Sequence, residues 1–261
     1  MASPIARASE LTPADPTKRP VAMVTGASSG IGLAIAQQLA TSGYNLAICA
    51  RRENRLAEVA NTLRRQNIDV LSQVVDLRDE SQILSFFTAV KRQWNQLDVL
   101  INNAGLGHKE SLMSGETEAW REMLEVNVLA LCICTREAIS LMQPVNKGHI
   151  VHVSSMSGHR VPAITGVYSA TKFAVRSLTE TLRRELRASN SAIRITSVSP
   201  GIVETEFAQK YHQSADQAAQ TYSQFPVLQA VDIANAVSYA LSQPAHVEVN
   251  DILVRPTHQE S

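Results

Sequence analysis

A surplus of charge is the first thing this chain lacks: 24 lysines and arginines are matched by 24 aspartates and glutamates, with no long run of either sign. A surface built to hold nucleic acid or an anionic membrane needs clustered positive charge, so neither is expected as the main partner. Cysteine is scarce as well. Cys49, Cys132 and Cys134 are odd in number, sit in apolar segments and lack Cys-x-x-Cys spacing. That predicts reduced structural thiols rather than disulfides or a metal site. No stretch reaches transmembrane length, and residues 1–20, which are small, polar and proline-bearing, lack the apolar run of a signal peptide. They read as a flexible leader ahead of one domain, residues 21–261. A cytoplasmic protein without a membrane partner is expected.

What is present is a sustained alternation. Hydrophobic residues make up 44% of the chain, ample for a sizeable core. β-rich runs at 21–25, 45–50, 70–75, 97–101, 149–153, 193–199 and 251–254 read as strands. Helical spacing of apolar residues occupies 31–42, 53–66, 80–94, 116–142, 167–189 and 231–242. Several strands are continuous apolar runs, as in parallel sheets covered on both faces. The expected fold is α/β, a doubly wound seven-stranded parallel sheet with helices on both faces. Residues 204–225 stand outside the alternation, with a weak helical pattern of their own.

Three local patterns carry chemistry. Gly26, Gly30 and Gly32, in Thr25-Gly26-Ala27-Ser28-Ser29-Gly30-Ile31-Gly32, fall between the first strand and the first helix. Glycine there permits a tight turn and lets backbone N–H groups approach a pyrophosphate. Tyr168 and Lys172 stand four apart, on one helical face. An ammonium beside a phenol favours the phenolate, which predicts a tyrosine pKa below the ordinary ~10. Ser155 lies thirteen residues before Tyr168, just past the apolar run ending at Val153. Other chemistries do not assemble. Ser155 lacks a Gly-x-Ser-x-Gly elbow, and His149, His152 and His159 have no metal-ligand spacing with a companion acid.

Together with Asn102-Asn103-Ala104-Gly105, Asn127 and Pro200-Gly201, these patterns resemble the short-chain dehydrogenase/reductase family in order and spacing, from about Val21 to the C-terminus. The resemblance implies a single-domain Rossmann fold and a nicotinamide cofactor. It implies that Tyr168 is the general acid or base, that Lys172 tunes it and holds the nicotinamide ribose, and that Ser155 steadies the carbonyl oxygen. Asn127 is implied as the residue whose backbone carbonyl holds a water leading from Lys172 to solvent. The remaining cofactor contacts implied are Ser28, Ser29 and Ile31 at the turn, Asp76 and Leu77 at the adenine, and Asn103, Ala104 and Gly105 beside it. Pro200, Gly201, Val203 and Thr205 complete the set, with Thr205 at the nicotinamide carboxamide.

Cofactor choice follows from charge. Where NAD sites place an acid after the second strand, this chain has Arg51 and Arg52. Arginine can fork onto a 2′-phosphate, so NADP(H) is expected, with Arg51, nearer the strand end, favoured over Arg52. Met156, His159, Phe207, Ser155 and Tyr168 are the expected substrate contacts, with Val161, Ile164, Val203, Tyr211, Tyr222 and Phe225 as apolar wall.

The expected substrate is a ketone or secondary alcohol. Segments 127–138, 156–161 and 244–257 resemble a mammalian subgroup associated with NADP-dependent reduction of ketosteroids and α-dicarbonyls. The ending also resembles bacterial NADP-dependent β-hydroxy-acid dehydrogenases acting on serine or allo-threonine, which stand as the alternative. A non-catalytic NADP-sensing module is a further reading, disfavoured because Tyr168, Lys172, Ser155 and Asn127 are all present. An epimerase or dehydratase of the extended branch would need a different glycine turn and a longer C-terminal part. The largely apolar circumference of residues 128–142 predicts a homo-oligomer, a dimer or tetramer.

Overall fold

The computed structural model describes residues 19–162 and 165–260. The expected leader, but for its last two residues, and the wall residue Ile164 lie outside them. Among these residues seven strands form one sheet: β1 (Val21–Thr25), β2 (Asn45–Ala50), β3 (Val70–Val74), β4 (Val99–Asn102), β5 (His149–Val153), β6 (Arg194–Pro200) and β7 (Asp251–Val254). Their order is β3-β2-β1-β4-β5-β6-β7, and every pairing is parallel. It is a single-domain Rossmann fold.

Alternation along the central strands divides the core. Ala22 and Val24 of β1 with Leu46 and Ile48 of β2 face α1 (Gly30–Thr41), α2 (Glu53–Arg64) and α9 (Ala230–Leu241). Val21, Met23, Ala47 and Cys49 face α3 (Glu80–Trp94), α5 (Ala130–Met142) and α6 (Gly166–Ala188). Successive side chains point to opposite faces, so a strand covered on both must be apolar throughout, as β1 is. Strand order reverses between β1 and β4, which opens a crevice at their carboxyl ends.

One expectation needs correction. Residues 116–142 are not one helix. α4 (Thr117–Leu124) passes through a π-helical turn, Glu125–Leu129, before α5 begins. Ala130 N–H reaches back five residues to the Glu125 carbonyl, so the ladder is locally widened around Asn127. The weak helical pattern of residues 204–225 corresponds to two short helices, α7 (Phe207–His212) and α8 (Ala215–Ser223).

A buried polar chain ties the central strands to α6. Asn102 Nδ2 donates to Thr135 Oγ1 at 2.9 Å, and Thr135 lies 3.1 Å from His152 Nε2. His152 Nδ1 lies 2.9 Å from Thr179 Oγ1, whose proton goes to the Val175 carbonyl at 2.7 Å. With the Thr179 proton so assigned, His152 Nδ1 must donate to Thr179, and the Thr135 hydroxyl, which accepts from Asn102, finds an acceptor in Nε2 only if His152 is neutral. Burial pushes both His149 and His152 down to about 3. Between about pH 6.5 and 3 the unfolded chain therefore binds protons at these sites that the folded one does not, so stability falls as pH falls through that window. His152→Gln should flatten this loss by up to about 1.4 kcal/mol per pH unit, read from urea midpoints between pH 6.5 and 4. An unchanged slope would contradict the assignment of a neutral His152.

Candidate active site

The crevice at the β1/β4 switch is a cleft of about 1090 Å³, more than the ~300–1,000 Å³ of an ordinary small-molecule pocket and large enough for a dinucleotide with a second molecule beside it. Gly26, Ser28, Ser29, Gly30, Ile31, Gly32, Arg51, Arg52, Asp76, Leu77, Asn103, Ala104, Gly105, Pro200, Gly201, Val203 and Thr205 all line it. So do Ser155, Met156, Tyr168, Lys172 and Phe207.

The glycine turn is a cradle that side chains would fill. Gly26 has φ +69°, and a Cβ there would sit 2.9 Å from Ala104 Cα. A Cβ on Gly32 would meet Asn103 Nδ2 at 2.4 Å and the Gly26 carbonyl at 2.5 Å. Asn103 fixes the turn from beneath by donating to the Thr25 carbonyl at 2.9 Å, while Thr25 Oγ1 accepts from the backbone of Asn103 and Ala104. Ser29 leaves the α1 N-terminus without a side-chain cap, and the first turn carries no acid. An uncapped, positive helix end beside a bare backbone suits a pyrophosphate. The residues present therefore fit the dinucleotide that the family resemblance implies.

Ser155, Tyr168 and Lys172 converge on the floor of the cleft. The end of β5 presents Ser155, whose Oγ accepts from Ser157 N–H at 3.1 Å and keeps its own proton for another partner. Ser154 is turned away and donates to the Lys172 carbonyl at 3.2 Å. Lys172 is 5% exposed and donates from Nζ to the Val153 carbonyl at 3.1 Å, with Nζ 5.9 Å from the Tyr168 ring centre. Burial lowers its amine to about 8.

The pKa expectation for Tyr168 needs correction. In the protein alone, burial raises the phenol to about 12, offset in part by a hydrogen bond to Ser155. Lys172 turns one of its three N–H donors to the Val153 carbonyl and keeps its Nζ 5.9 Å from the ring centre, and its charge does not overcome desolvation. A phenol in that range is fully protonated at neutral pH and holds its proton more tightly than a free tyrosine does.

Asn127 does not line the cleft. Its side chain brackets Leu106, accepting from the N–H at 2.9 Å and donating to the carbonyl at 2.8 Å, and reaches Thr171 Oγ1 on α6 at 3.0 Å. It joins the segment after β4 to the helix of Tyr168 and Lys172. His159, expected among the substrate contacts, is also absent from the cleft. The 3₁₀ turn Met156–Gly158 swings it away, to 2.9 Å from Ser199 Oγ and 3.7 Å from Asp251. Arg160 lines the cleft instead.

The arginines divide their work differently from expectation. Arg51 pairs with Glu122 at 3.1 Å, whereas Arg52 Nη2 donates to Ser29 Oγ at 2.6 Å and Ser28 Oγ at 3.3 Å. Arg52 is thus the one tied to the glycine turn. Asp76 is held below the ordinary carboxylate range by its bond to Arg78.

Three contributors were not anticipated. Gly107 lies where a Cβ would meet Phe207 and Tyr211 at 2.9 Å and Tyr168 at 3.0 Å, so its bareness lets the aromatic rings close over the phenol. The only cue was a second glycine soon after Asn-Asn-Ala-Gly. Gln259, near the C-terminus, accepts from Ile202 N–H at 2.9 Å and lines the cleft beside His258. Nothing in its sequence marked it. Glu206 at the start of α7 is the third.

A strand-turn-helix cradle at the switch point, above a half-buried serine and a buried tyrosine and lysine, defines the class. The chain belongs to the short chain dehydrogenase family, which it matches over residues 20–216, and is an oxidoreductase. Among its relatives is human dehydrogenase/reductase SDR family member 11, 47% identical over 92% of this chain and 95% of that protein. A serine dehydrogenase solved in a closed form with NADP+ superposes with a TM-score of 0.87 at 31% identity, covering 92% of this chain and 96% of that one. An alcohol dehydrogenase from the archaeon Thermococcus sibiricus, solved with 5-hydroxy-NADP, gives 0.83 at 29% identity over 94% of this chain and 99% of that one. Among the described residues, no helix is long and apolar enough to cross a membrane.

Gly107→Ala should force the rings of Phe207 and Tyr211 off Tyr168. The expected result is an altered near-UV circular dichroism spectrum with the far-UV spectrum kept. An unchanged near-UV spectrum would show that the packing does not depend on a bare backbone at 107.

Proposed function

We propose that this protein is an NADP(H)-dependent carbonyl reductase that converts a ketone of substantial apolar surface to a secondary alcohol. The observation that carries the reading is the buried Tyr168 phenol, protonated at neutral pH and placed with Ser155 on the cleft floor. NADPH, when bound, supplies the hydride. Tyr168 gives its proton to the carbonyl oxygen as negative charge grows there. Ser155, with its own proton uncommitted to Ser157, donates a second hydrogen bond to the same oxygen. Lys172 contributes a positive charge beneath the phenolate that remains. Asn127 keeps α6 in register with the Leu106 segment, and its backbone carbonyl, inside the π-helical turn, is the proposed water holder.

Specificity for NADP over NAD is proposed from Arg51 and Arg52, which stand on the cleft where an acid would repel a 2′-phosphate. Apolar preference is proposed from Met156, Val203, Phe207, Tyr211, Tyr222 and Phe225, all on the cleft wall. A second reading has a specific observation behind it. Arg160 and Lys210 also reach the cleft and could seat a carboxylate, as a β-hydroxy acid would need. The similar serine dehydrogenase favours testing it directly. Self-association is proposed on a narrower patch than expected, because Leu131, Ile133, Cys134 and Ala138 are buried within the subunit while Leu124, Leu129 and Phe173 stay exposed.

Four measurements test these statements. Tyr168→Phe should lower turnover by roughly two to four powers of ten with cofactor affinity nearly unchanged, and near-wild-type turnover would remove Tyr168 from the chemistry. The Arg51→Ala, Arg52→Ala double variant should weaken NADPH by roughly ten- to a hundredfold and leave NADH almost untouched. Equal losses would reject the phosphate assignment. Assays of ketosteroid and diketone reduction beside serine and allo-threonine oxidation should give higher kcat/KM for the ketones, and the reverse order would select the hydroxy-acid reading. Light scattering at micromolar concentration should give a dimer or tetramer, and a monomer would refute self-association.

A further inference from the structure

Glu206 sits where two parts of the cleft meet. It immediately precedes α7, whose Phe207 and Tyr211 rings pack on Tyr168 at centroid distances of 5.4 and 6.1 Å. Its carboxylate pairs with Arg52 Nη1 at 2.7 Å and with Arg55, and Lys210 lies 3.6 Å away. Arg52 is the residue that also grips Ser28 and Ser29 of the glycine turn. The neighbouring Thr205 lies over the same turn, close enough that a Cβ on Gly30 would meet its Cγ2 at 3.1 Å. Tyr222 of α8 pins this arrangement from behind, donating to the Thr205 carbonyl at 2.7 Å. The start of the aromatic cover is therefore held against the cradle by an anion seated on cations.

We propose that Glu206 is a built-in competitor for the 2′-phosphate of NADP(H), occupying Arg52 and Arg55 until that phosphate displaces it and unfastens the start of α7. This rests on the NADP reading above and adds to it a residue that sets cofactor selectivity and couples it to the cover over Tyr168. The physical case is one of like charges sharing a seat. A carboxylate and a phosphate cannot both approach one guanidinium fork without repulsion. The carboxylate and the two arginines are each about a third to a half exposed, so the pairing is screened and readily exchanged. A phosphate carries more charge and more acceptor oxygens than the carboxylate it would replace. NAD(H), which lacks that group, gives Glu206 no reason to leave. The aromatic rings would then be freed by one cofactor and not by the other.

The test uses adenosine 2′,5′-bisphosphate and adenosine 5′-monophosphate, which differ by the 2′-phosphate and carry no nicotinamide. Calorimetry should show Glu206→Gln binding the bisphosphate about three- to tenfold more tightly than the wild type, with affinity for the monophosphate unchanged. Glu206→Asp, whose shorter side chain keeps the charge, should stay nearer to the wild type. In the wild type, the bisphosphate and not the monophosphate should speed tryptic cleavage after Lys210. A Glu206→Gln affinity gain shared equally by both nucleotides, or no gain at all, would overturn the competition. Unchanged cleavage after Lys210 would overturn the coupling to α7. If the wild type binds the two nucleotides equally, the NADP reading itself fails, and this proposal with it.

Discussion

Everything at the cleft depends on burying one amine. Lys172 on α6 reaches the carboxyl end of β5 with its Nζ on the Val153 carbonyl, out of water. A buried ammonium is costly unless its protons find acceptors and its neighbours leave room. One glycine makes the room. A Cβ on Gly158 would press to 2.6 Å against the Lys172 carbonyl. With the helix so seated, Tyr168 one turn earlier falls beside Ser155, and the Asn127 bracket holds Thr171 between them. The polar chain through His152 and Thr179 fixes the same helix two turns further on.

Burial also divides the chemistry. It drives the amine down toward 8 and the phenol up to about 12. Both shifts oppose charge, so the protein alone keeps Tyr168 as a proton donor and does not by itself prepare a phenolate. Oxidation would require a further positive charge near the phenol, which an oxidised nicotinamide ring carries.

Much of this was legible in the chain because the cues were local. β1, β2, β5 and β7 begin and end where their apolar runs do, and parallel strands covered on both faces leave little ambiguity. The glycine turn, Ser155, Tyr168 and Lys172 are separated by spacings that their elements preserve. What was not legible depends on contacts between distant segments. Residues 116–142 carry an unbroken helical pattern, so the π-helical turn at Asn127 left no mark. His159 follows Ser155 closely, but a 3₁₀ turn sends it to Ser199. The pKa of Tyr168 is set in part by covering rings some forty residues away, and Arg52 takes precedence over Arg51 only because Ser28 and Ser29 lie within its reach.

The central claim is that Tyr168 is a buried, protonated phenol whose pKa a neighbouring positive charge can bring down. Carbon-13 labelling of the ring Cζ makes the five tyrosines observable, and Tyr168→Phe assigns the resonance. Titration of the protein alone should leave Tyr168 protonated past pH 10, and addition of NADP+ should bring its ionisation into a lower range. An ionisation below 10 in the protein alone, or one that NADP+ does not move, would contradict the account.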